Sequence, residues 1–179
     1  MDKIRGFEKI SREQFEKDFV GYLFDPDVWE TESEQDREYR FNKAIKLPKR
    51  GTAKSAGYDF FSPIGFTLNP GQDINLPTGI KAYMQKDEVL KAYPRSGHGF
   101  KYYARLANTI GIIDSDFFNN EKNEGHIWIK IRNEGDKVLK IEQGEGIAQF
   151  IFQKYLLADG DNFEGEKRKG GFGSTNKRE

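Results

Sequence analysis

From residue 44 onward the apolar residues fall into short runs between closely spaced turn signals: Pro48, Gly51, Pro63, Asn69-Pro70-Gly71, Pro77, Pro94, Gly97, Asn133-Glu134-Gly135-Asp136 and Gln143-Gly144-Glu145-Gly146. Such punctuation predicts short β-strands rather than helices. Ile127-Trp128-Ile129-Lys130-Ile131-Arg132 alternates with the two-residue period of a strand, and Val138-Leu139-Lys140-Ile141 follows across a turn, so the pair reads as a hairpin. Ile147 to Phe152 is apolar except at Gln149. That is the pattern of a strand buried on both faces or in a subunit interface, and the amide inside it wants a partner. With no long amphipathic helix after residue 44, the fold class is all-β, a barrel or sandwich.

The first 43 residues are patterned differently. Lys3 to Ile10 predicts an opening strand. Ser11 with Gln14 three residues on is a capping-box pattern ahead of Phe15, Phe19, Tyr22 and Leu23, which predicts a short amphipathic helix. Asp25-Pro26 repeats the logic, a cap and then proline at the first helical position. Glu30 to Arg40 is charged enough to be a solvated helix or a disordered loop. At the other end, residues 158–179 are polar and glycine-rich, with Phe163 and Phe172 as their only large apolar groups, and such a tail cannot pack on its own.

Composition narrows the function classes. A chain of 179 residues fits one domain, and 15 Phe, 8 Tyr and 2 Trp supply enough burial to exclude disorder throughout. The absence of cysteine removes disulfides, thiol nucleophiles and zinc-thiolate sites, and two histidines, His98 and His126, argue against a histidine-built metal centre. There is no apolar run of about 18 residues and the first ten residues are too charged for a signal peptide, so the expectation is a cytoplasmic protein with no membrane association. The net charge is zero, but residues 1–43 carry 12 acidic and 8 basic groups, leaving 17 acidic and 21 basic for the rest. That excess is too small for direct nucleic-acid binding and compatible with a small anionic ligand.

Four segments carry chemistry beyond a plain β-fold. Ser55-Ala56-Gly57-Tyr58-Asp59 sets small residues ahead of a carboxylate. Pro94-Arg95-Ser96-Gly97 is a turn offering a guanidinium, a hydroxyl and backbone N–H groups, a nest for phosphate oxygens. Ala107 to Phe117 places Asn108, Asp114 and Asp116 in an apolar strand-turn context, where partial desolvation by Ile112, Ile113 and Phe117 makes a carboxylate a competent base. Lys167 to Thr175 combines three cations, glycines, hydroxyls and one aromatic, a set able to fold over a phosphorylated ligand with the ring on a base.

In this order the segments resemble the five motifs of the homotrimeric dUTPase family, at residues 55–59, 94–97, 108–117, 144–149 and 168–175, within a similarity covering residues 3–10 and 44–179. The resemblance implies a jelly-roll (β-clip) barrel, residues 1–179 forming one domain, with a flexible C-terminal lid arm at 158–179 and a helical insertion at 11–43. It implies a homotrimer whose sites are shared between chains, and hydrolysis of dUTP to dUMP and pyrophosphate, which limits uracil in DNA and supplies dUMP for dTMP synthesis. By the same resemblance Asp114 activates the water. Arg95, Ser96 and Gly97 meet the phosphates, Gln149 holds an α-phosphate oxygen, and Asp59 sits near Mg²⁺ through a coordinated water. Asn108 with the backbone at Ile113 and Asp114 reads uracil, Phe117 lies against the deoxyribose, and Phe172 stacks on the base while Arg168, Gly173 and Ser174 or Thr175 take the outer phosphates.

Three departures stand out. Phe117 occupies a position where the family usually has Tyr. The basic residue five positions before Phe172 is Lys167, so it competes with Arg168 for the γ-phosphate. The stretch Phe118 to Gly125 is longer than the common turn. Variants of this kind look like those of Gram-positive bacteria and their phages. The insertion matches no motif and is expected to be a surface excursion without a catalytic role, the alternative being an arm for an unknown protein partner. Two competing functions share much of the pattern. A dCTP deaminase would need a further catalytic glutamate and no Phe172 lid, and a nucleotide-sensing module would keep the same binding residues.

Overall fold

The computed structural model describes residues 3–163 and 171. After β1 (Gly6–Lys9) come three helices, α1 (Arg12–Phe19), α2 (Pro26–Thr31) and α3 (Glu34–Ala44). The β-shell follows: β2 (Lys49–Arg50), β3 (Tyr58–Phe61), β4 (Phe66–Leu68), β5 (Asp73–Pro77), β6 (Ile80–Tyr83) and β7 (Glu88–Pro94). A short helix, α4 (Ser96–Tyr102), separates these from β8 (Ala104–Leu106), β9 (Gly111–Asp114), β10 (Trp128–Asn133), β11 (Leu139–Ile141) and β12 (Gly146–Lys154). Every ladder between them is antiparallel, in four small sheets ordered β1-β6, β5-β10-β8, β11-β4 and β2-β3-β12-β7-β9. This is the mostly-β shell that the turn spacing predicts, with its core between the sheets around Phe60, Leu76, Leu90, Ile129, Ile131 and Phe150.

β12 is the central strand of the largest sheet, paired with β3 on one side and β7 on the other. Its apolar run is therefore explained by burial within one chain, and Phe150 stacks on Phe60 at 3.8 Å between ring centroids.

The expected hairpin is not formed. β10 pairs with β5 and β8, so both of its edges are taken, and β11 crosses to β4 in another sheet. The chain is redirected at Asn133, whose buried amide donates to Leu68 O at 2.9 Å and Lys137 O at 2.8 Å and whose Oδ1 accepts from Gly135 N–H. A period of two fixes which face of a strand is buried, not which neighbour it pairs with.

The helical caps follow the sequence. Ser11 Oγ accepts from Gln14 N–H, Asp25 caps α2 with Pro26 in its first turn, and Ser33 caps α3, so Glu30 to Arg40 is helical on both sides of a break at Glu32 and Ser33. The insertion is not a surface excursion, however. Phe15 and Phe19 are fully buried and Trp29 nearly so, and all three belong to the same core as the β-shell. Phe15 stacks on Phe19 at 4.2 Å and meets Phe41 edge-on at 5.2 Å, so the three helices close around one aromatic cluster. Burial of each such ring is worth roughly 1.5–3 kcal/mol. The charged residues that suggested solvation occupy the outer faces, where Arg12 bridges Glu16 and Glu34.

Candidate active site

The sequence-selected residues gather into two groups. In the first, strand register sets Gln149 opposite both Asp59 and Tyr93. Gln149 Nε2 donates to Pro94 O at 3.5 Å, and a side chain at Gly57 would strike Gln149 Oε1 at 2.7 Å. The first motif therefore needs a glycine where the amide of the fourth packs over it. Arg95 caps α4, donates from Nη1 to Gly146 O at 3.0 Å and lies 3.4 Å from Asp59 Oδ1 through Nε. A Cβ at Gly146 would meet Arg95 Nη1 at 2.6 Å, so any larger residue there would shift the guanidinium from this position. His98 Nε2 and Glu145 Oε1, 3.2 Å apart, tie the second motif to the fourth again. Pro94 to Gly97 is thus not only a turn: Ser96 opens a short helix, and Ser96 and Gly97 are exposed beside the Arg95–Asp59 pair.

The second group lines a cavity of about 240 Å³: Asn108, Gly111, Ile113, Asp114 and Phe117, with Trp128 and Ile129 among its other walls. Gly111 to Asp114 forms β9, the outer strand of the largest sheet, and Phe117 ends a 3₁₀ turn that directly follows. Phe117 and Ile113 are buried, Asp114 is half-buried at the cavity edge, and Asn108 is exposed at its rim. Gly171 lies on the ring of Phe117. Arg168, Phe172, Gly173, Ser174 and Thr175, with Lys167, fall outside the described residues. Sequence reasoning missed the wall from Ile127 to Ile129, whose alternation signals only a strand.

The two groups do not meet within one chain. Asp114 pairs with Val89 at one end of β7 and Gln149 with Tyr93 four residues along it, on the opposite edge of that strand. At 3.4 Å per residue and 4.8 Å between strands, Asp114 stands roughly 15–20 Å from Gln149 and Asp59.

Among the described residues no set of three or more His, Asp or Glu side chains could hold a metal ion. Asp59, beside a guanidinium, fits a cation that takes its remaining ligands from phosphate and water, which is how magnesium is usually held. No helix among them is long and apolar enough to cross a membrane.

A model of the dUTPase family matches residues 43–176, starting where the helical insertion ends. The deoxyuridine 5′-triphosphate nucleotidohydrolase of Lactococcus lactis is 47% identical over 135 residues, 75% of this chain and 90% of its own. That of Photorhabdus laumondii is 37% identical over 144 residues, 76% and 90% of the two chains. Among solved structures, the dUTPase of Streptococcus mutans superposes with a TM-score of 0.61 at 35% identity, covering 87% of this chain and 99% of that one. The dUTPase of phage phi11 of S. aureus, described as coordinating a structural Mg(II) ion, shares the fold at a TM-score of 0.55 and 19% identity over 69% and 92% of the chains. With the segments 55–59, 94–97, 108–117 and 144–149 seated on this shell, the chain belongs to the dUTPase family and is an enzyme that hydrolyses dUTP to dUMP.

Proposed function

We propose that each active site joins the base-side cavity of one subunit to the phosphate-side group of another in a homotrimer, with Asp114 activating the attacking water. The observation that supports this reading is the register of the largest sheet, which keeps Asp114 and the Arg95–Gln149 group of one chain apart. Large apolar groups that the single chain leaves exposed, Ile112 on β9 and Leu156 and Leu157 after β12, offer contact surface for such neighbours.

In the assembled site uracil enters the apolar cavity, with Asn108 and the backbone at Ile113 and Asp114 on its polar edge and Phe117 against the sugar. Arg95, Ser96 and Gly97 with Gln149 neutralise the triphosphate near the bond that breaks. Asp114, set against Ile113 and Phe117, accepts the proton of a water in line with the α-phosphate, and pyrophosphate leaves. Asp59 would hold Mg²⁺, which when bound would neutralise charge on the phosphates. The tail carries Phe172 onto the base, and Arg168, Gly173, Ser174 and Thr175 onto the outer phosphates. A cytoplasmic location fits this substrate. Parallel measurement of pyrophosphate release from dUTP, dCTP, dTTP and UTP tests the reading. Release from dUTP alone is expected, and equal turnover of dCTP or UTP would refute the assignment of the cavity to uracil and deoxyribose.

A further inference from the structure

The helical insertion converges on the back of one wall of the base-side cavity. His126 is fully buried and directly precedes Ile127, Trp128 and Ile129, three consecutive wall residues. Both of its ring nitrogens are engaged: Gly79 N–H donates to Nε2 at 2.8 Å, so Nδ1 carries the proton and donates to Asp18 Oδ2 at 2.5 Å. Asp18 is the penultimate residue of α1, and Gln14, one turn earlier, donates to the same carboxylate oxygen at 2.6 Å. The imidazole also stacks on Phe19 at 6.0 Å with 14° between planes and touches Trp128 at 5.6 Å. Tyr22 continues the contact, its ring 5.5 Å from that of Trp128 and its hydroxyl donating to Asn75 O in β5. The long turn between Phe117 and His126 is held from the same side, since Glu124 accepts from both the backbone and the hydroxyl of Ser11. None of Ser11, Gln14, Asp18, Phe19 and Tyr22 lies in the span matched by the family model.

We propose that Asp18 and Phe19 are positioning residues for base recognition: through His126 they hold the Ile127–Ile129 wall against the bound pyrimidine, so the insertion sets substrate affinity while touching no substrate. This rests on the reading that the cavity takes uracil. Close-packed interiors pass displacement on rather than absorb it, and a buried Nδ1–H deprived of its acceptor forces the ring to move. Asp114 lies on β9, which pairs with β7 and shares no ladder with β10, so movement of the Trp128 wall is not carried to it through the sheet. Affinity and turnover therefore respond differently.

The test uses the full-length protein and a non-hydrolysable dUTP analogue, with binding measured by calorimetry beside steady-state kinetics on dUTP. Asp18→Ala is expected to weaken analogue binding and raise KM by about 3- to 30-fold, with kcat unchanged. Asp18→Asn, which keeps an acceptor for Nδ1–H, should restore most of the affinity. A folded Asp18→Ala protein with a lower Tm but wild-type affinity would overturn the proposal and leave a purely structural contact. If Asp18→Ala does not fold, Phe19→Leu removes the stacking while keeping an apolar side chain, and wild-type affinity there has the same meaning. Asn108→Ala separates the two readings: if it leaves analogue binding intact, the cavity is not the base site, whatever the Asp18 variants do.

Discussion

The two halves of the active site are held in place by different physics. On the phosphate side, Asp59, Gln149 and Tyr93 are fixed across three neighbouring strands by backbone ladders, and the glycines at 57 and 146 admit the polar side chains packed over them. On the base side, β9 and β10 are set by ladders as well, but the cavity is enclosed by their side chains. The ring of Trp128 in its far wall packs on Tyr22 and on His126, which Asp18 holds, and both Tyr22 and Asp18 lie outside the family match. In the proposed site, the half facing the phosphates takes its geometry from the ladders themselves. The half facing the base has a wall whose outer support can change without altering any motif.

The largest expected effect lies where the halves meet. Asp114→Asn keeps the size of the side chain and removes its basicity, so turnover should fall by roughly 10²- to 10⁴-fold while analogue binding persists. Unchanged turnover would remove Asp114 from the mechanism. Arg95→Ala strikes the ladder-built half, deleting the donor to Gly146 and the charge beside Asp59. A loss of roughly 10- to 100-fold in kcat/KM is expected, the range of one charged hydrogen bond, and an effect confined to kcat would show that Arg95 acts only in the transition state.

Mixing these two inactive proteins sharpens the comparison further. If the halves come from different subunits, dissociated and reassociated mixtures contain some sites with both wild-type halves, and activity partly returns. No recovery in assemblies shown by mass to be mixed would place both halves in one chain.

The smallest effect concerns the support behind the base side. Burial lowers the His126 pKa from its ordinary 6.5 and outweighs the opposing hydrogen bond that His126 donates to the Asp18 carboxylate. Burial alone would raise Asp18, but hydrogen bonds from His126 and Gln14 hold it below the usual carboxylate range. The unfolded chain protonates His126 as pH drops below 6.5 while the folded one does not, so stability is lost on acidification; protonation of Asp18 adds to the loss at lower pH. Thermal melts between pH 7 and 5 should show Tm falling by roughly 3–5 °C per pH unit at most from this group, with a shallower slope in His126→Gln. Parallel slopes would assign the acid sensitivity elsewhere.

What could be read from the chain divides along the same line. Motif residues that ride on strands, Asp59, Asp114 and Gln149, were legible because type, order and spacing survive without knowledge of tertiary packing. The first two helices of the insertion were legible from Ser11 and Asp25 as caps, while the third, capped by Ser33, was left open between helix and loop; the destination of all three was not legible, because period and charge say which face is apolar and nothing about what that face covers. His126 illustrates the gap. As a lone histidine beside a strand it carries no signal, and its meaning comes from Asp18, 108 positions away. The misread hairpin has the same origin, since β10 and β11 choose partners by competition among edges that only the assembled sheets define.

That separation of 108 residues has a consequence for the order of folding. The insertion's helices rest on local contacts and can form early, but the surface they dock on is completed only when His126 and β10 are in place, and long-range closures of this kind are slow. During synthesis the ring faces of Phe15 and Phe19 therefore emerge well before their partner and stay open to other chains until it arrives. The Ile127–Ile129 wall is among the last parts of the subunit to set, and overexpression in the cold or with chaperones should raise the soluble yield of the full chain more than that of relatives lacking the insertion.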